Sequence, residues 1–230
     1  IVYVAASGYL WGESEHKGIY KTTNGGMSWR KVLYIDEETG GHDIEFDPHN
    51  PDIMYASMWQ RFRFGGGDMD DIGPSSGIYK TLDGGESWTH LTNGLPTVDM
   101  GKIHLVVAQN NSDILYAHLM TDRDPDGNHQ YGIYRSEDGG ASWTHQSTAP
   151  TRPVYYYSNI TIDPKDDNTI WLPLLELHRS TDGGKTFAKM NMRHVHFDLH
   201  SLWINPADND HMILSGDGGV NRSEERRVGK

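Results

Sequence analysis

The chain has no cysteine, which excludes thiolate metal sites and disulfide frameworks and leaves the redox compartment open. It has no run of eighteen apolar residues, so no helix in it is built to cross a bilayer. Basic residues are scarce: 20 Lys and Arg stand against 32 Asp and Glu, for a net charge of −12. That balance argues against a nucleic-acid or anionic-membrane surface. No long stretch of helical periodicity occurs, and neither an initiator methionine nor a signal sequence precedes Ile1-Val2-Tyr3-Val4.

What the chain does have is glycine, placed in register. Gly18-Ile19-Tyr20-Lys21-Thr22-Thr23-Asn24-Gly25-Gly26-Met27-Ser28-Trp29 returns as Gly77-Ile78-Tyr79-Lys80-Thr81-Leu82-Asp83-Gly84-Gly85-Glu86-Ser87-Trp88. It returns again from Gly132 to Trp143 and, more loosely, from Leu177 to Phe187. A self-repeat of this clarity governs the reading of every residue inside it. The apolar–polar alternation of Ile-Tyr-Lys-Thr fits a half-buried strand. Asp-Gly-Gly fits a turn in which the acid bonds nearby N–H groups and glycine takes positive φ. Asn24, Asp83, Asp138 and Asp182, with the plugs Trp29, Trp88, Trp143 and Phe187, are therefore read as structural fasteners.

A second repeat interleaves with the first. Ile44 to Ala56 reads strand, Asp-Pro turn, strand, and Leu105 to Ala117, Ile160 to Leu172 and Leu202 to Leu214 follow the same plan. Four antiparallel strands per period make a propeller blade. The expected fold is all-β: a β-propeller fragment of about four four-stranded antiparallel blades over residues 1–221, with unpaired edges where neighbours are missing. Residues 222–230 lack the Asp-Gly-Gly that should follow Ser223 and read as an atypical tail foreign to the domain. Insertions at Arg61 to Ser76 and Thr121 to Gln130 belong on one face of the array, often the binding face.

The Ser/Thr-x-Asp/Asn-Gly-Gly-x-Ser/Thr-aromatic core resembles the BNR, or Asp-box, repeat, found in sialidases, xyloglucan-active glycoside hydrolases, sortilin/Vps10 receptors and a photosystem assembly factor. The likeness extends to about Asn221 and points to secreted bacterial proteins described as sortilin-like or glycosyl-hydrolase BNR-repeat proteins. Asp47-Pro48-His49-Asn50-Pro51-Asp52, Tyr156-Tyr157-Ser158, Leu202-Trp203-Ile204-Asn205-Pro206 and Gly216-Asp217-Gly218-Gly219-Val220-Asn221 carry it. The resemblance implies a secreted, periplasmic or cell-surface protein. The Arg-Ile-Pro signature of sialidases is absent.

With the Asp-Pro strands taken as innermost, the residues just before them rim the channel mouth. Aligned, these are His42 and Asp43, Ile103 and His104, Ser158 and Asn159, and His200 and Ser201. Extended, His194, His196, Asp198 and His200 would share one face, a donor set suited to a divalent metal or to acid–base work. A hydrogen-bonded polar rim without metal is the plainer account of the same face. Tyr155, Tyr156 and Tyr157 cannot all enter one core, so at least one should face outward or line the channel, where a tyrosine suits stacking on a sugar or gripping a peptide, unless it plugs the gap between blades. Arg61 and Arg63, in Trp59-Gln60-Arg61-Phe62-Arg63-Phe64, could meet an anion. A glycosidase needs two carboxylates at a set separation, and Asp43 with Asp198 is the channel-side pair available. The expected function is a module binding a glycan or peptide at the mouth through His42, His104, Tyr155, Tyr156, Tyr157, Asn159, His196 and His200, or a scaffold, in either case beside the remaining blades of the same polypeptide. A glycoside hydrolase ranks behind it. No cofactor is expected, save a possible divalent metal at His194, His196 and His200.

Overall fold

The computed structural model describes residues 1–148, 150, 156–193 and 195–223, and no helix occurs among them. The first sheet joins β1 (Val2–Ala6), β2 (Gly18–Thr22) and β3 (Arg30–Leu33). The second orders β4 (Thr39–Phe46), β5 (Met54–Gln60), β8 (Gly77–Thr81) and β9 (Thr89–Leu91); a separate hairpin, β6 (Phe62–Arg63) with β7 (Met69–Asp70), interrupts it between β5 and β8. The third runs β10 (Met100–Val107), β11 (Leu115–Thr121), β12 (Gly132–Ser136) and β13 (Thr144–Ser147). The fourth runs β14 (Thr161–Asp163), β15 (Asp166–Pro173), β16 (Leu177–Ser180) and β17 (Ala188–Lys189), and the fifth β18 (Leu199–Ile204), β19 (Met212–Gly216) and β20 (Gly219–Arg222).

All pairings are antiparallel, and the sheets form an arc of a β-propeller. The expectation of about four blades becomes three four-stranded sheets flanked by two three-stranded ones. The chain's first residues form β1, in which Tyr3 holds the place Tyr55 holds in β5. Arg222 ends β20, and Ser223 is bonded to Met212 in both directions, N to O at 2.9 Å and Oγ from N at 2.7 Å. The sheet thus continues past Asn221, while residues 224–230 of the expected tail lie outside the described residues.

β4, β10, β14 and β18 adjoin one another in turn and are innermost. A cavity of about 370 Å³ is lined by β10, β14 and β18 together, with Trp203 opening onto it. Direct bonds join neighbouring inner strands: Leu105 N donates to Asp43 Oδ2 at 3.0 Å, and Thr161 Oγ1 to Leu202 O at 3.1 Å. The second strands read as near-continuous apolar runs because they are covered on both faces; β5 and β11 are buried almost end to end.

Each Asp-Gly-Gly turn is fastened by the same bonds. Thr81 Oγ1 donates to Asp83 Oδ1 at 2.7 Å and accepts from Gly85 N at 2.9 Å, while Ser87 offers Asp83 both its N–H, at 2.9 Å, and its hydroxyl, at 2.6 Å. Both glycines sit at positive φ, where a Cβ is strained. Ser136, Asp138 and Ser142 repeat the pattern, as do Ser180, Asp182 and Thr186, and Thr22, Asn24 and Ser28. The bonds to Thr186 and Ser180 hold the Asp182 carboxyl down at about 2. The aromatic plugs seat against the preceding sheet: Trp143 in the cluster of Tyr55 and Ile78, Trp88 beside Ile19, Phe187 beside Tyr116 and Ile133. Trp29 departs from the expected plug. It is exposed, and no sheet among the described residues packs against it.

A second periodic device ties each of the first three sheets to the next. Tyr3 Oη donates to Gly84 O at 2.7 Å, Tyr55 Oη to Gly139 O at 2.9 Å and Tyr116 Oη to Asp167 O at 2.8 Å. A cation from the neighbouring strand lies over each ring and reaches the same turn. Lys21 Nζ bonds Gly84 O at 2.7 Å, Lys80 Nζ bonds Gly139 O at 2.6 Å, and Arg135 bonds Asn168 at 2.8 Å.

The connections divide the arc into two ends. The Asp-Gly-Gly turns share one end with the β4–β5, β10–β11 and β14–β15 turns, as Gly84 N to Asp52 O, Gly139 N to Asp113 O and Gly183 N to Asn168 O show. Antiparallel order places the insertions and the links between sheets at the other end, together with the starts of the inner strands.

Candidate functional site

At that second end, two clusters of titratable side chains form. The first straddles β4 and β10. A bulge between Gly41 and Asp43 in β4 lets His42 lie edge-on to Trp59, ring centres 5.4 Å apart, and 6.3 Å from His104. Asp43 accepts from Ile44 N and Leu105 N, each at 3.0 Å, and His104 Nδ1 lies 3.4 Å from its Oδ2. His104 stands directly opposite His118 across β10 and β11, and the wholly buried His118 meets Ser158 O at 3.0 Å. Among the described residues, His42 Nε2, His118 Nε2 and Ser158 Oγ are buried without a hydrogen-bond partner.

Burial dominates the electrostatics here. It pushes His42 and His118 down to about 3, so both imidazoles are neutral at physiological pH. It lowers His104 as well, against the pull of Asp43. Burial, with Arg61 adding repulsion, brings Lys102 down to about 8. Burial, with Asp43 beside it, lifts Glu45 to about 8, so this carboxyl keeps its proton at neutral pH. Glu45 is two residues from Asp43 on the same face of β4.

The second cluster joins the fourth and fifth sheets. Tyr157 Oη donates to Asp198 Oδ1, and this bond, aided by burial, raises the phenol to about 12. Asn159 Nδ2 donates to His200 O. The Tyr157 and His200 rings are parallel within 5° at 6.3 Å, and His200 Nε2 lies 2.8 Å from Asp217 Oδ1 and 3.8 Å from Asp198 Oδ1. Asp198, His200 and Asp217 each bring a ligand atom within 4.8 Å of the others, a carboxylate–imidazole set able to hold a divalent cation.

Several sequence expectations change. Residues 195–200 are not one extended face. Asp198 takes φ of 78°, the one positive value at a non-glycine among the described residues, and β18 starts only at Leu199. The turn sends His196 outward, where it stacks on Phe197 at 4.4 Å, away from His200. The metal-capable set accordingly keeps Asp198 and His200, gains Asp217 and drops His196. His194 and Tyr155 lie outside the described residues. Tyr156 is exposed and Tyr157 faces the cluster, so the tyrosine run splits between two roles. Asp43 and Asp198 belong to separate clusters, and no contact among the described residues joins them. Arg61 and Arg63 stack over Trp59 and Trp11 at 4.4 and 5.6 Å, which uses their faces for packing rather than for an anion. Sequence reasoning missed Glu45, Lys102, His118 and Asp217. Glu45 was legible as the next same-face residue after Asp43; the others needed the cross-strand register.

No family model matches the chain. A curated relative named "Xyloglucanase", from Paenibacillus sp, is 25% identical over 96% of this chain, which spans 23% of that protein. A GH74 enzyme of Niastella koreensis superposes with a TM-score of 0.61 over 94% of this chain and 34% of its own, at 19% identity. An ancestral GH74 enzyme gives 0.60 over 97% and 27%, at 16% identity. The propeller fold is shared. The chain thus spans about a quarter to a third of the proteins it resembles. These likenesses bear on the propeller and on glycan-related proteins, and leave the sortilin-like branch of the expected resemblance without support.

Proposed function

We propose that this chain is part of an extracellular β-propeller whose insertion-bearing end binds a glycan. The observation that carries the reading is the likeness to a xyloglucanase along 96% of the chain. The geometry agrees with it. The exposed Tyr156 beside Tyr157, with the accessible His200 and Asp217 next to them, offers hydroxyl-directed hydrogen bonding next to aromatic faces. Screening the full chain against neutral plant glycans, anionic glycans and peptides tests it. Binding to neutral glycans supports the reading, binding confined to peptides favours a receptor-like module, and binding to nothing leaves a scaffold.

A second reading, a glycoside hydrolase, is favoured by one observation. Glu45 keeps its proton at neutral pH beside Asp43, a carboxyl pair of the kind that divides acid and base roles. Same-face neighbours two apart on a strand are spaced about 6.5–7 Å, near the roughly 6.5–9.5 Å of inverting enzymes. Reducing-end release from xyloglucan, abolished in Glu45→Gln, would establish this reading; equal release by the variant would remove Glu45 from it.

A further inference from the structure

The insertion between β5 and β8 builds a cleft that neither cluster lines. Phe62 pairs with Asp70 and Arg63 with Met69, and the hairpin leans on the β1–β2 loop through Arg63 N to Leu10 O at 2.9 Å. Its return leg is anchored to β10 by Gly73 N to Met100 O at 3.0 Å, and Trp59 Nε1 reaches Asp71 O at 2.7 Å. The hairpin is therefore held on both sides, by the first sheet and by the third. Between it and β5 lies a space of about 330 Å³, bounded by Phe62 and Phe64 and by Glu38, Gln60, Arg61 and Asp70.

The chemistry of this cleft narrows its occupant. The Phe62 and Phe64 rings are 4.7 Å apart and tilted, and Phe64 is 43% exposed, as is the nearby Trp11 at 47%. Exposed aromatics of this kind mark ligand surfaces. Gln60 is fixed by Ser75 N on its oxygen and by Glu38 Oε2 on its nitrogen, at 3.1 and 2.7 Å, which holds Glu38 over the space. Glu38 Oε1 and the Asp70 carboxylate accept no hydrogen bond among the described residues, so they stand ready for hydroxyl donors. Two carboxylates against one guanidinium disfavour an anion. The volume suits a short saccharide segment and falls far below a protein partner's footprint.

We propose that this cleft is a subsite for an uncharged hexose chain, with a sugar ring stacked on Phe64 and its hydroxyls donating to Glu38 and Asp70. The proposal rests on the glycan-binding reading above and names the substrate class and the place. The buried Trp59 touches Arg61 at the cleft and His42 at the mouth, so one side chain stands between the two.

The test is calorimetric titration of the full chain with cellohexaose and with a xyloglucan oligosaccharide, and with polygalacturonate as the anionic comparison. The variants are Phe64→Ala, Phe64→Trp, Asp70→Asn and the mouth double variant His104→Ala/Asn159→Ala, each checked for a native circular dichroism spectrum. Expected is a tenfold or greater weakening in Phe64→Ala, retention in Phe64→Trp and a several-fold weakening in Asp70→Asn. Wild-type binding that survives Phe64→Ala and Asp70→Asn but is lost in the mouth variant would overturn the subsite and leave the glycan reading standing. Preference for polygalacturonate would overturn the uncharged ligand. Failure of the wild type to bind any of these glycans would overturn both readings.

Discussion

At the scale of single residues, two side chains carry more than their neighbours. Thr81 is wholly buried, and its hydroxyl is the partner of Gly85 N inside the turn. Thr81→Val keeps the shape but leaves that N–H unpaired, a cost of about 1–3 kcal/mol. Urea unfolding should show the loss, and Thr81→Ser should restore most of it. Glu45 supplies a pH signature. From the ordinary carboxylate range up to about 8, the folded chain holds a proton on Glu45 that the unfolded chain has released. Its contribution to stability therefore falls as pH rises through that window. Glu45→Gln keeps a neutral side chain throughout, so its Tm relative to wild type should climb steadily from pH 5 to pH 8.5. A constant difference would show that the acid is not held neutral. Thr81 was legible in the sequence because its role is local and repeated four times; the state of Glu45 was not, because burial between β4 and β10 sets it and no spacing reveals burial.

At the scale of strands and hairpins, the sequence exposed what lies within a sheet and concealed what lies between sheets. Alternation and Asp-Gly-Gly located β8, its turn and β9, since hairpin pairing joins neighbours along the chain. The bond from Tyr55 to Gly139 crosses from one sheet to the next, and only the radial stacking brings it about. Lys80 shares the same carbonyl, so the two donors back each other up. Tyr55→Phe and Lys80→Met should each cost about 1 kcal/mol, and the double variant should cost more than their sum by about 0.5 kcal/mol or more. Strict additivity in a double-mutant cycle would show that the two donors act independently. The extended reading of residues 194–200 failed for a related reason. The positive φ of Asp198 answers to bonds with Leu175 and Asp217, far along the chain.

At the scale of the whole arc, its two flanks differ from its middle. The first sheet exposes Val2 and Val4 and the fifth exposes Ile213 and Val220, whereas β5 and β11 between them are buried almost end to end. Apolar flanks of this kind bind other surfaces. The 230-residue chain should bind a dye such as ANS while folded and should elute as concentration-dependent oligomers. A strictly monomeric, dye-silent chain would mean that the flanks are covered in some other way. The periodicity of the turns showed a radial repeat, but blade number was harder to read, because β1 and β18 to β20 carry only parts of the pattern.

The tyrosine tie has a direction: the first, second and third sheets each grip a turn of the sheet that follows. Stretched between its ends, such an array would surrender from its flanks, one module per rupture, instead of failing all at once. An optical-tweezers trace should then be a sawtooth. Lys80→Met would shrink only the tooth that parts the second blade from the third.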